Sequence, residues 1–121
     1  MPSSFEITAG KLMGPTTGGS VTQATNKGTA VTLNTASGVI TMNDAALAAG
    51  AEVDFVVNND KCTATSCVIV NHASGGTAGS YIIDAVRVQD GSFKIMVSNV
   101  SDGSLGQAIV INFALVKISS S

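Results

Sequence analysis

Tryptophan is absent from this chain of 121 residues, and its aromatics amount to four Phe and one Tyr. Bases and sugars are held largely by stacking on flat aromatic side chains. A single-strand nucleic-acid binder or a carbohydrate-binding module is therefore disfavoured. Charge is scarce as well, at 12% of residues against roughly a quarter in ordinary domains. Six basic and eight acidic residues leave a net charge of −2. No basic stripe exists to capture a phosphate backbone. The longest apolar run, "AIVINFALVKI" from Ala108 to Ile118, is too short for a membrane-spanning helix. The leading "MPSSFEITAGKLMG" lacks the charged start and apolar core of a secretion signal. Synthesis in a cytosol is the expectation.

Chemistry-bearing residues are few. His72 is the only histidine, so any histidine-dependent mechanism rests on it. Ser74 and Ser80 flank it, but neither sits in a nucleophile-elbow context. The plain reading of His72 is a strand-end residue at a loop edge or subunit contact. The following "SGGTAG" (74–79) lies between two β-rich segments and lacks the helix that a phosphate loop requires, so it reads as a strand-to-strand loop. Cys62 and Cys67 enclose "TATS". Two Cys and one His fall short of a zinc site. A small-loop disulfide is conceivable, but cytosolic synthesis favours free thiols. The acidic residues are scattered without calcium-loop spacing, and Asp90-Gly91 and Asp102-Gly103 read as turn dipeptides. No catalytic, metal or cofactor residue is expected, and the chain is not read as an enzyme.

What the chain has in quantity is β-branched residues in short segments. Eight strand candidates follow one another: 20–25, 30–33, 38–42, 51–57, 67–72, 80–88, 92–98 and 108–118. Val53, Phe55 and Val57 alternate with Asp54, and Phe93, Ile95 and Val97 alternate with Lys94. This two-residue period describes antiparallel strands with one covered face. The last segment is apolar in both registers, with Ile109, Ile111 and Phe113 in one and Val110, Ala114 and Val116 in the other. Such a strand sits centrally or faces another subunit. Phe55, Val57, Ile69, Ile95, Val97, Ile111 and Phe113 form the expected core. "NDAALAAG" reads as a helix of one or two turns, with Asn43 as N-cap and Gly50 just past the end. The expected fold is all-β: a two-sheet antiparallel sandwich of jelly-roll type over residues 20–118, with one short helix. A tail of 119–121 follows. Residues 1–19, interrupted by Gly and Pro, read as an arm. Its Phe5, Ile7, Leu12 and Met13 are too apolar for a segment that merely floats in water, and are expected to bind a partner.

Three stretches, "VTQATNKGTAVTLNTASGVITMNDAALAAGAEVDFVVNN", "VIVNHASGGTAGSYIIDAV" and "GSFKIMVSNVSDGSLGQAIVINFALVK", together resemble a β domain recurrent in virion proteins of tailed bacteriophages. The resemblance covers about Ser20 to Lys117. It implies a structural role in a virion, commonly as a symmetric oligomer such as a homotrimer; the charge balance and the short apolar runs already leave no nucleic acid or membrane expected as partner. A module behind a short arm, without heptads or a long helix, looks like a capsid decoration or cement protein bound to the major capsid protein. The alternative is a knob at the tip of a tail fibre or needle, contacting a receptor on the host surface.

Overall fold

Each of the eight apolar segments forms a strand in the computed structural model, which describes residues 18–117. They are β1 (Gly19–Thr22), β2 (Val31–Thr32), β3 (Ser37–Thr41), β4 (Glu52–Asn58), β5 (Ser66–Ser74), β6 (Tyr81–Gln89), β7 (Ser92–Asn99) and β8 (Val110–Lys117). The strands make two four-stranded sheets, ordered β1-β3-β8-β5 and β2-β4-β7-β6. The apolar faces of the two sheets meet in one core. Phe55, Val57, Phe93, Ile95 and Val97 come from the second sheet, and Ile40, Ile111 and Phe113 from the first. Phe93 and Phe113 touch edge to face across the layers, with ring centroids 5.5 Å apart. β8 is central, between β3 and β5; Ile111, Phe113 and Leu115 turn into the core, and the other register, with Val110, Asn112, Ala114 and Val116, lies on the outer side of the sheet.

Three expectations are corrected. The sheets are mixed rather than antiparallel, because β1 pairs with β3 and β2 with β4 in parallel. The cause is the chain path. Every connection except β6–β7 passes from one sheet to the other. Strands two apart in sequence thus return to the same sheet with the same direction, as parallel neighbours must through a crossover.

The short helix at 43–50 is not formed. Its local signals are real: the Asn43 side chain accepts the Ala45 N–H at 2.8 Å, and Gly50 adopts a left-handed φ of 74°. Helix nucleation is costly, however, and a segment this short gains little from propagation. Leu47 instead exchanges both backbone hydrogen bonds with Leu105, at 2.9 and 3.0 Å. The buried Asn99 amide donates to the Leu47 carbonyl as well.

Ile69 is not core but 51% exposed. Residues 67–70 are apolar in both registers, so alternation does not decide which set turns inward. Pairing with β8 does: Val68, Val70 and His72 oppose Leu115, Phe113 and Ile111, all three of which are buried. The remaining expected core residues are buried. Of the two turn dipeptides, Asp90-Gly91 closes the β6–β7 hairpin, with Gly91 at φ 88°. Asp102-Gly103 lies in the crossover from β7 to β8 rather than in a hairpin.

Candidate interaction face

At one end of the sandwich the loop after β5 crosses to the other sheet, and a single side chain pins it there. Gln107 accepts the Thr77 N–H at 3.1 Å and the Tyr81 hydroxyl at 2.7 Å, and donates to Thr77 Oγ1 at 2.9 Å. Three glycines, Gly75, Gly76 and Gly79, carry the chain through left-handed conformations. His72 is held in this cluster. Its Nε2 lies 2.6 Å from the Gly75 carbonyl, so that nitrogen bears the proton and donates. The ring stands edge-on to Tyr81 at 5.6 Å. Neither Ser74 nor Ser80 is hydrogen-bonded to His72 among the described residues. The arrangement closes a loop, with the imidazole bonded to backbone.

Behind Gln107 lies a buried lysine. Lys27 is 4% exposed. Its ammonium donates to the Gln107 carbonyl at 2.6 Å and to the Asn43 carbonyl. Gln23, also buried, braces the same turn by donating to the Lys27 and Thr29 carbonyls at 2.9 and 2.8 Å. Burial pulls the Lys27 pKa below its ordinary 10.5, with nearby Asp44 opposing. Burial also pushes the Cys62 thiol above 9.0 and the Tyr81 phenol above 10.0.

These shifts have opposite signs in stability. Cys62 and Tyr81 support the fold while protonated, and that support is lost as pH rises through their ordinary and then their raised values. Lys27 does the reverse. Its folded state sheds the proton first, so its contribution improves as pH climbs from the lowered value toward 10.5. Urea midpoints measured from pH 8 to 11 are therefore expected to fall less steeply in Cys62→Ala and Tyr81→Phe than in the parent, and more steeply in Lys27→Met. Equal slopes in all four proteins would refute this account.

The two outer faces of the sandwich differ in chemistry. On the β2-β4-β7-β6 sheet the outward positions include Glu52, Asp54, Asp84 and Lys94. Lys94 pairs with Asp54 at 3.6 Å. Ile82, 59% exposed, shares that face with Val56, Val86 and Met96, so the face mixes apolar with charged residues. The opposite face carries no charge at its outward strand positions. Register places Ser20 and Thr22 on β1 beside Ser37, Val39 and Thr41 on β3. Next come Val110, Asn112, Ala114 and Val116 on β8, then Cys67, Ile69 and Asn71 on β5. A groove of about 410 Å³ runs across this face. Val39, Ile69 and Ala114 give it an apolar lining, Asn71 and Asn112 stand in it as a cross-strand pair, and Gly18 and Gly19 form its rim. Both asparagines are exposed, and neither amide is tied to another side chain among the described residues.

The residues singled out from sequence fall as follows. Cys62 is buried and Cys67 exposed, both as free thiols. Among the described residues no group of three His, Cys, Asp or Glu could hold a metal ion, and no helix is long and apolar enough to cross a membrane. Phe5, Ile7, Leu12 and Met13 of the arm lie outside the described residues, as does the tail 119–121. The uncharged face was only half visible in the sequence. β8 shows its second apolar register, but nothing local says that β1, β3 and β5 turn uncharged residues to the same side. Gln107 carries no sequence signal at all. Comparison with family models, curated proteins and solved structures found no match to this chain.

Proposed function

We propose that this protein is a structural component of a tailed-bacteriophage virion, made in the bacterial cytoplasm. The reading is a capsid decoration or cement protein that binds the major capsid protein on the outer head surface and stabilises contacts between capsomers. It acts as a homotrimer without catalytic chemistry. The observation that carries the proposal is the uncharged outer face of the β1-β3-β8-β5 sheet. Sheets facing water ordinarily turn polar and charged residues outward, and the opposite face turns out Glu52, Asp54, Asp84 and Lys94 where this one turns out no charge. A charge-free face of hydroxyl, amide and apolar side chains, with an apolar-lined groove, suits permanent contact with protein. The sheet-to-sheet chain path supports a jelly-roll relationship, with the parallel edge pairs as a departure from an all-antiparallel jelly roll.

Quantitative mass spectrometry of purified virions tests the proposal. Hundreds of copies per particle are expected. A handful would move the protein to the tail, as a fibre or needle knob that meets the host receptor. Its absence from purified particles would overturn the virion reading.

A further inference from the structure

Each sheet ends in two edge strands, β1 and β5 in one and β2 and β6 in the other. An edge presents unpaired N–H and C=O groups that can template pairing with another chain. Proteins ordinarily block it by brevity, charge, proline or a bulge. Three of the four edges are blocked here. β1 has four residues and β2 two. β6 has nine, but it carries Asp84 and Arg87 and shifts register between Val86 and Gln89, where Arg87 takes a left-handed φ of 53°. β5 shows none of these devices over Ser66–His72. It holds no proline and no Asp, Glu, Lys or Arg, and it pairs with β8 without a shift as far as His72.

We propose that β5 pairs antiparallel with β5 of a second copy, about a two-fold axis that passes through Ile69 perpendicular to the sheet. Two four-stranded sheets then continue as one. The occupant follows from the order of side chains. The stretch "SCVIVNH" (66–72) has the same character in both directions: two small or polar residues, Val-Ile-Val, and two polar residues. In the register centred on Ile69, that residue meets itself, Val68 meets Val70, Cys67 meets Asn71 and Ser66 meets His72. Every residue of the unshifted stretch gains a partner. The β-branched side chains meet at the centre, and no like charges face each other. A two-fold contact needs this self-complementarity. The other edges offer a poorer match, since β1 and β2 are too short and β6 would bring a carboxylate and a bulge.

Burial points the same way. Val68 and Val70 turn toward the core, opposite Leu115 and Phe113. Both stay half-buried, because among the described residues no strand lies beyond them. Ile69, on the outer side, is 51% exposed. The pairing covers all three. One strand pair buries less than the roughly 1,200 Å² of a standard interface, so the contact is weak and depends on concentration. It goes beyond the proposed function and does not rest on it: a monomer dimerises through this edge, and a trimer is joined by it to other trimers.

Asn71→Cys tests partner and register together. In the two-fold pairing its thiol stands opposite Cys67 of the other copy. Within one copy, residues 67 and 71 of the same strand lie about 13 Å apart, beyond the reach of a disulfide. Cys62 is buried. Isotopically light and heavy preparations of the full-length variant are mixed, allowed to exchange and oxidised mildly, and the linked peptides are mapped by mass spectrometry. Disulfides of 67 to 71 joining light to heavy chains are expected, at least about tenfold more abundant than 67 to 67 or 71 to 71. Adding Ile69→Lys sets two ammonium groups together on the axis. It is expected to reduce the 67–71 product at least about tenfold while the exposed position leaves the urea midpoint near that of the parent. Sedimentation equilibrium of the unsubstituted protein needs no variant and covers the case in which Ile69→Lys misfolds: its mass is expected to rise between micromolar and millimolar concentration. Equal yields of all three disulfides would overturn the register. A 67–71 product unchanged by a folded Ile69→Lys, or a mass constant up to millimolar concentration, would overturn the self-pairing of β5.

Discussion

Truncating Phe113 to alanine is expected to destabilise the protein by about 3–5 kcal/mol. The side chain is 3% exposed and sits on the central strand of its sheet. It meets Phe93 of the opposite sheet edge-on at 5.5 Å, a contact that adds roughly 0.5–1.5 kcal/mol beyond burial. Its ring also fills the space over Gly38. A methyl group built there would come within 2.9 Å of Phe113 Cε2 and 2.6 Å of Leu33 Cδ2. Removing the ring therefore opens a cavity against a backbone that has no side chain to collapse into it. Urea unfolding at neutral pH measures the loss. A change below about half a kcal/mol, the size of an ordinary surface substitution, would mean that Phe113 is not at the junction of the sheets.

The second large effect is expected within one loop, where two glycines with similar backbone angles have different surroundings. Gly75 and Gly79 have φ of 74° and 83°. At Gly79 a Cβ meets nothing within 4 Å, so Gly79→Ala should cost only the left-handed conformation, about 1–2 kcal/mol. At Gly75 the same atom would lie 2.8 Å from the Ala108 carbonyl oxygen, which belongs to backbone and cannot rotate away. Gly75→Ala should cost the conformation plus displacement of the segment that leads into β8, for a total above about 3 kcal/mol. The two unfolding curves, run side by side, separate strain from collision. Equal losses would show that the loop does not press on residue 108.

Strand positions were legible in the sequence because each strand is a short apolar segment with its own bounding turn, and several alternate as well. Val53, Phe55 and Val57 declare their face through Asp54 between them. Ile69 does not, because its neighbours at 67, 68 and 70 are apolar too, and only pairing with β8 decides which register turns inward. The segment 43–50 shows a different limit. Its cap and its left-handed glycine form as local chemistry dictates, yet the backbone of Leu47 finds better partners in Leu105 and Asn99. The parallel edges and the Gln107 hub were illegible for a shared reason. They join residues remote in sequence: Thr77 lies 30 positions from Gln107, and no short window contains both. The groove falls in the same class, since its lining is gathered from β3, β8 and β5 with a rim from β1.

The central place of β8 sets the order of events as the polypeptide leaves the ribosome. β6 and β7 are joined by a tight hairpin and can pair as soon as both have emerged. β4 then finds β7, and β2 finds β4, so one layer can be assembled while translation continues. The other layer cannot. β3 and β5 are each hydrogen-bonded to β8 and not to one another, and β8 is the last of the eight strands to be synthesised. Until it is released, both wait with unpaired edges and with the apolar side of the finished layer uncovered. Folding therefore completes late and through distant pairings, the kind that proceed in milliseconds to seconds rather than microseconds. A nascent chain stalled just before residue 110 would be the species most exposed to aggregation and to capture by chaperones.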